Sequence, residues 1–107
     1  MKLLTQKIML IIAGLVFVDN SEIEEFVTEA RKTIPLAYEN EGCLFISFTL
    51  EDRNNGSMLV LERWKDRESL DKHLSRSEVI KLFTKWGPKM RNEVRMYDAS
   101  NERDPRA

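Results

Sequence analysis

Apolar residues fall along this chain in four short blocks, and two stretches with helical spacing separate them. The first block, residues 8–18, is apolar on both alternating sets. Ile8, Leu10, Ile12, Val16 and Val18 share one side; Met9, Ile11, Ala13, Leu15 and Phe17 share the other. Its Ile and Val content favours a strand, and a strand apolar on both faces is covered on both. Next, Ile23, Phe26, Val27, Ala30, Ile34, Ala37 and Tyr38 follow the three-four spacing of one buried helical stripe. Ser21 and Glu24 have the spacing of a capping box at its start. Pro35 is expected to kink the last turn or stop the helix near Ile34, and Gly42 to supply a left-handed stop.

Cys43 to Leu50 reads as a second strand rich in Phe, Ile and Thr. Asn55-Gly56 is a turn signal, and residues 57–65 form a third strand, which closes a hairpin. Asp66 is placed to cap a helix that runs to about Leu74. That helix pauses at Ser75-Arg76-Ser77, resumes with Val79, Ile80, Phe83 and Trp86 on one side, and ends at Gly87-Pro88. Val94, Met96 and Tyr97 make a fourth strand, and residues 99–107 read as a polar tail. The order β-α-β-β-α-β predicts an α+β, ferredoxin-like domain over residues 1–98, with a four-stranded antiparallel sheet and helices on one face. The opposite sheet face stays bare in a monomer. The doubly apolar first strand therefore predicts a homodimer that packs sheet against sheet.

The 107 residues leave room for one domain. Seventeen basic and 18 acidic residues nearly cancel, which offers no long-range field for nucleic acid or acidic lipid. The nearest approach to a basic cluster is Lys81, Lys85, Lys89, Arg91 and Arg95, diluted by Glu78 and Glu93, and it reads as a solvated face. The single cysteine, Cys43, excludes an internal disulfide, reads as a small buried hydrophobe, and suits a reducing cytoplasm. Met1-Lys2 to Lys7 followed by the apolar run imitates a signal peptide. It lacks a small-x-small cleavage site, however, and the run is too short to span a bilayer, so a strand is preferred.

The third strand carries the chemistry. Period-two alternation puts Met58, Val60, Glu62 and Trp64 on one face and Leu59, Leu61 and Arg63 on the other. A carboxylate in such a setting is costly to bury unless paired or protonated, so Glu62 is either neutralised structurally or functional. Trp64 is a core anchor or the wall of a site for a flat ligand. His73, the only histidine, sits beside the buried stripe of the second helix and has the side chain best suited to carry a proton near neutral pH. One histidine among scattered carboxylates matches no metal ligand set, and the four glycines form no phosphate loop.

Glu41-Gly42-Cys43, Leu61-Glu62-Arg63-Trp64-Lys65-Asp66 and Leu70-Asp71-Lys72-His73-Leu74-Ser75 together resemble the antibiotic biosynthesis monooxygenase family of dimeric α+β barrels, over about residues 8–98. The resemblance implies cofactor-independent oxygenation of a small electron-rich aromatic or quinol by O2, with neither flavin nor metal. In that chemistry the pocket favours the deprotonated substrate, which itself reduces O2. It also implies His73 as proton acceptor, Glu62 as its orienting partner, Trp64 as the aromatic wall, and Val60, Phe83 and Phe48 as substrate-binding residues. Val60 stands where anthrone oxygenases carry an asparagine, which points away from anthrones. Phe83 stands where haem-degrading relatives carry their ligating histidine, which argues against haem degradation. A non-catalytic small-molecule or stress-linked module on the same barrel is the alternative.

Overall fold

The computed structural model describes residues 8–107. The basic start, Met1-Lys2 to Lys7, that imitates a signal peptide lies outside them. The elements run β1 (Met9–Phe17), α1 (Ile23–Arg31), α2 (Ile34–Tyr38), β2 (Cys43–Asp52), β3 (Ser57–Trp64), α3 (Arg67–Leu74), α4 (Ser77–Trp86), β4 (Arg91–Asn92) and β5 (Arg95–Ala99). The strands form one antiparallel sheet in the order β2-β3-β1, and both β4 and β5 pair with the far side of β1. This is the expected α+β, ferredoxin-like arrangement, with the helices on one face.

The two-faced reading of β1 and β3 fixes which side chains meet the helices. β1 pairs β3 with Ile12 opposite Glu62, Gly14 opposite Val60 and Val16 opposite Met58. β2 pairs β3 with Ile46 opposite Glu62 and Phe48 opposite Val60. Paired residues share a face, so these side chains lie together under Ile23, Phe26, Val27, Ala30, Leu70 and Trp86 and form the core. The opposite face carries Leu59 and Leu61, each more than two-fifths exposed, together with Phe45 and Tyr97. That face has no cover among the described residues.

Four local expectations need correction. Ser21 does not cap α1: its N–H and hydroxyl both donate to Asp19 Oδ1, and Glu22 takes the cap position with no side-chain bond. The first helix does not run on to Pro35. It ends at Arg31, and Pro35 sits in the first turn of α2, where its missing N–H is harmless. Gly42 is not a left-handed stop. The positive-φ glycines are Gly14 and Gly56, and a Cβ on Gly42 would instead lie 1.9 Å from Ser69 Oγ. The fourth strand is split, and Val94 falls between its halves. Glu93 N–H donates to Leu15 O, and the Glu93 carbonyl sits where a Cβ of Gly14 (φ 146°) would be, 2.4 Å away. The Asp66 cap holds as expected, with its carboxylate accepting from Ser69 N–H at 2.8 Å.

The helical layer also closes one sheet edge. Tyr38 Oη accepts from Ile46 N–H at 3.1 Å and lies 3.4 Å from Ile46 O, while Arg31 Nε donates to Phe48 O at 2.9 Å. Of the basic residues expected on a solvated face, Lys85 pairs with Glu25 and Glu29, Lys89 with Glu22, and Arg91 with Glu93.

Candidate active site

Between the sheet and the helices lies a cavity of about 170 Å³. Val60 and Phe48 contribute its floor; Leu70, Phe83 and Trp86 contribute its helical side. Leu74, Phe83 and Asn92 are exposed, so the cavity opens to solvent at that end. The lining is otherwise apolar, and Glu62 and Asn92 are its polar members.

Glu62 reaches the cavity because it falls on the inner set of β3, between Val60 and Trp64. Trp64 Nε1 donates to Glu62 Oε1 at 2.8 Å. The second oxygen, Oε2, has no hydrogen-bond partner among the described residues. Burial pushes the Glu62 carboxyl above its ordinary range, and the tryptophan bond opposes only part of that rise. Burial, with the Glu62 charge adding to it, also pushes the Cys43 thiol up to about 11, which leaves it protonated and inert at neutral pH.

Trp64 is fully buried and does not line the cavity; it stands behind Glu62. Its ring also contacts His73, whose ring centroid lies 5.0 Å from that of Trp64 at an interplanar angle of 33°. His73 is 5% exposed and opens towards a different, polar depression that it shares with Lys65, Ser69, Lys72 and Arg76. Its Nδ1 is buried without a hydrogen-bond partner among the described residues. Burial, and secondarily the Arg76 charge, hold its pKa below the usual histidine value, so the ring is neutral at pH 7. Of the six residues singled out in the sequence, Glu62, Val60, Phe48 and Phe83 therefore meet at one cavity, Trp64 is bonded to Glu62 without lining it, and His73 packs on Trp64 and faces the other depression. Asn92 is an additional cavity residue with no motif to announce it. Among the described residues no cluster of His, Cys, Asp or Glu could hold a metal ion.

The antibiotic biosynthesis monooxygenase family model matches residues 9–85, which takes in β1 to α3, α4 up to Lys85, and every residue named above except Trp86 and Asn92. The chain belongs to that family. Solved structures share the fold at low identity. A protein of Caulobacter crescentus CB15 named a putative antibiotic biosynthesis monooxygenase is 20% identical, covers 92% of each chain and superposes with a TM-score of 0.71. A Nitrosomonas europaea protein of the same name is 11% identical over 94% of this chain and 95% of its own, with a TM-score of 0.72. A conserved protein from Methanosarcina mazei Go1 is 21% identical over 90% of this chain and 95% of its own, with a TM-score of 0.71. No curated protein matches the sequence. No helix among the described residues is long and apolar enough to cross a membrane.

Proposed function

We propose that the protein is a cofactor-independent monooxygenase acting on a small electron-rich hydroxyarene, and that Glu62 is its proton acceptor. The observation that carries this reading is one carboxylate, made more basic by burial, lining a cavity that is apolar apart from it and Asn92. A base must lie within reach of the proton it takes, and the reading is supported by Glu62 lining the cavity, which His73 does not. In this reading Trp64 and His73 are positioning residues. The indole N–H fixes the carboxylate, and the stacked imidazole fixes the indole.

The chemistry needs only the guest and O2. Glu62 takes the phenolic proton, and the electron-rich ring passes one electron to O2. The resulting radicals join at a ring carbon that bears hydrogen, ortho or para to the hydroxyl, and Glu62 returns its proton to the new peroxide. Glu62 then takes the hydrogen of that carbon as a proton while the O–O bond breaks. One oxygen stays as a quinone carbonyl, and the other leaves with two protons as water. The substrate is the reductant, so the electrons balance without a flavin or a metal. The apolar lining supports the electron-transfer step by excluding water from the anion.

The assembly belongs to the same proposal: a homodimer that buries the Leu59, Leu61, Phe45 and Tyr97 face against a second copy. Exposed apolar patches of this kind mark interaction surfaces. Oxygen uptake with a panel of hydroquinones and phenols tests the chemistry. We expect Glu62→Gln to lower kcat/KM by about 10²-fold or more, the usual contribution of a general base. Uptake that survives this change would remove Glu62 from the chemistry. Light scattering tests the assembly: the wild type is expected as a dimer and Leu61→Glu as a monomer. A non-catalytic small-molecule module shares the cavity, and binding without any oxygen uptake would select it.

A further inference from the structure

Asn92 is the second polar group of the cavity, and its amide is held in one orientation. Val94 N–H donates to Asn92 Oδ1 at 2.7 Å. A backbone N–H can meet only the oxygen of the amide, so the Nδ2 donors face elsewhere. The backbone that carries Asn92 is fixed as well. Asn92 pairs with Val16, and the next carbonyl, that of Glu93, is seated against the missing side chain of Gly14. Because Val16 faces the helices, Asn92 shares the inner face, while Arg91 on the outer face lies 4.0 Å from the Phe17 ring centroid.

Glu62 and Asn92 mark opposite ends of the cavity. Glu62 pairs with Ile12 and Asn92 with Val16, from opposite sides of β1. At about 3.4 Å per residue and about 4.8 Å between strands, their Cα atoms lie roughly 17 Å apart. Two such side chains cannot meet across that distance, but one ring with an oxygen at each end can bridge them. The cavity volume of about 170 Å³ sets the ring count. An engineered apolar cavity of about 150 Å³ in another protein holds one benzene.

We infer that Asn92 is a substrate-binding residue: its amide nitrogen donates to the far oxygen of a single-ring guest whose near hydroxyl meets Glu62. The guest class is then a benzene ring bearing oxygens at opposite ends. The inference rests on the cavity being the substrate site, as proposed above, but it does not need turnover. It also supplies a hydrogen-bond donor that Val60 cannot offer.

The test is binding without oxygen, by anaerobic titration calorimetry of the full chain with 4-hydroxybenzaldehyde and 4-ethenylphenol. These rings are near-isosteric and differ at the far end by a carbonyl oxygen against a CH2. Asn92→Leu removes the donor. Asn92→Asp also removes it but keeps the oxygen that accepts from Val94 N–H, so a merely structural role would leave Asn92→Asp like the wild type. We expect the preference for the aldehyde over the alkene to fall about tenfold in both variants, the scale of one hydrogen bond. An unchanged preference in folded Asn92→Asp, or a wild type that binds neither ring, overturns the inference. A wild type that binds the aldehyde through Asn92 yet consumes no oxygen with any phenol sinks the oxygenase reading and leaves this inference standing.

Discussion

Trp64 contacts two titratable groups that burial drives in opposite directions. On its cavity side, the Glu62 carboxyl is pushed up, towards its neutral form. On its far side, the His73 imidazole is pushed down, also towards its neutral form. Loss of water penalises charge of either sign, so the same environment makes a carboxylate a stronger base and an imidazole a weaker one. Partnering differs as well. Glu62 accepts from the indole N–H and lines the cavity, whereas His73 Nδ1 has no partner among the described residues and its ring is packed on Trp64. A free histidine titrates nearest neutral pH, which makes it the natural first choice for a proton carrier in a sequence. In this fold the free-residue pKa is a poor guide, because placement decides which of the two groups lines the cavity.

Removing the wall should give the largest effect. Trp64→Ala deletes a fully buried indole and is expected to cost about 3–5 kcal/mol, read as the urea midpoint. Trp64→Phe keeps most of the packing but deletes the N–H that holds the Glu62 carboxyl down, so the pH at which oxygen uptake rises should move upward. An unmoved pH profile would mean that Trp64 does not govern Glu62.

Glu62→Gln separates stability from activity. A carboxyl raised in the folded state destabilises the wild type as pH climbs from the ordinary carboxylate value through the raised one, and below both values there is no penalty. The glutamine variant should therefore match the wild type at low pH, exceed it in stability at pH 7, and still have lost its oxygen uptake. Equal stability at both pH values would contradict a desolvated Glu62.

His73→Gln should give the smallest effect on activity, less than about tenfold, which is below what a general base contributes. Its mark is on stability instead. A depressed imidazole contributes stability that is present above the unfolded value and lost as pH falls through the depressed one, so the variant should flatten the acid side of the stability curve above the carboxylate range. A hundredfold loss of uptake would return the proton-acceptor role to His73 and dissolve the contrast.

The sequence made the frame readable where local pattern and final burial agree. Alternation along β3 put Glu62 on the inner face, and Asp66 followed by a helical pattern marked the start of α3. It was less informative where two local signals compete or where distant segments meet. Asp19 captures the Ser21 donors two residues away, so the expected capping box never forms. His73 was legible as a residue beside the buried stripe. Which depression it faces depends on how α3 lies on the sheet, and spacing does not encode that. Asn92 gave no signal at all. It follows a Gly-Pro helix end and joins the cavity only because β4 returns to β1, where Gly14 admits the Glu93 carbonyl. Gly14 was the one available hint, a glycine inside an otherwise unbroken apolar strand.

The cover over the outer edge of β2 bears on how this protein avoids misassembly. An unpaired strand edge is a template for further strands and hence for open-ended fibrils. At Ile46 and Phe48 that template is already occupied by the Tyr38 hydroxyl and the Arg31 guanidinium. Neither group can be copied by an incoming backbone without being displaced first. Leu44, an apolar residue beside this edge, can therefore stay exposed without inviting the sheet to grow.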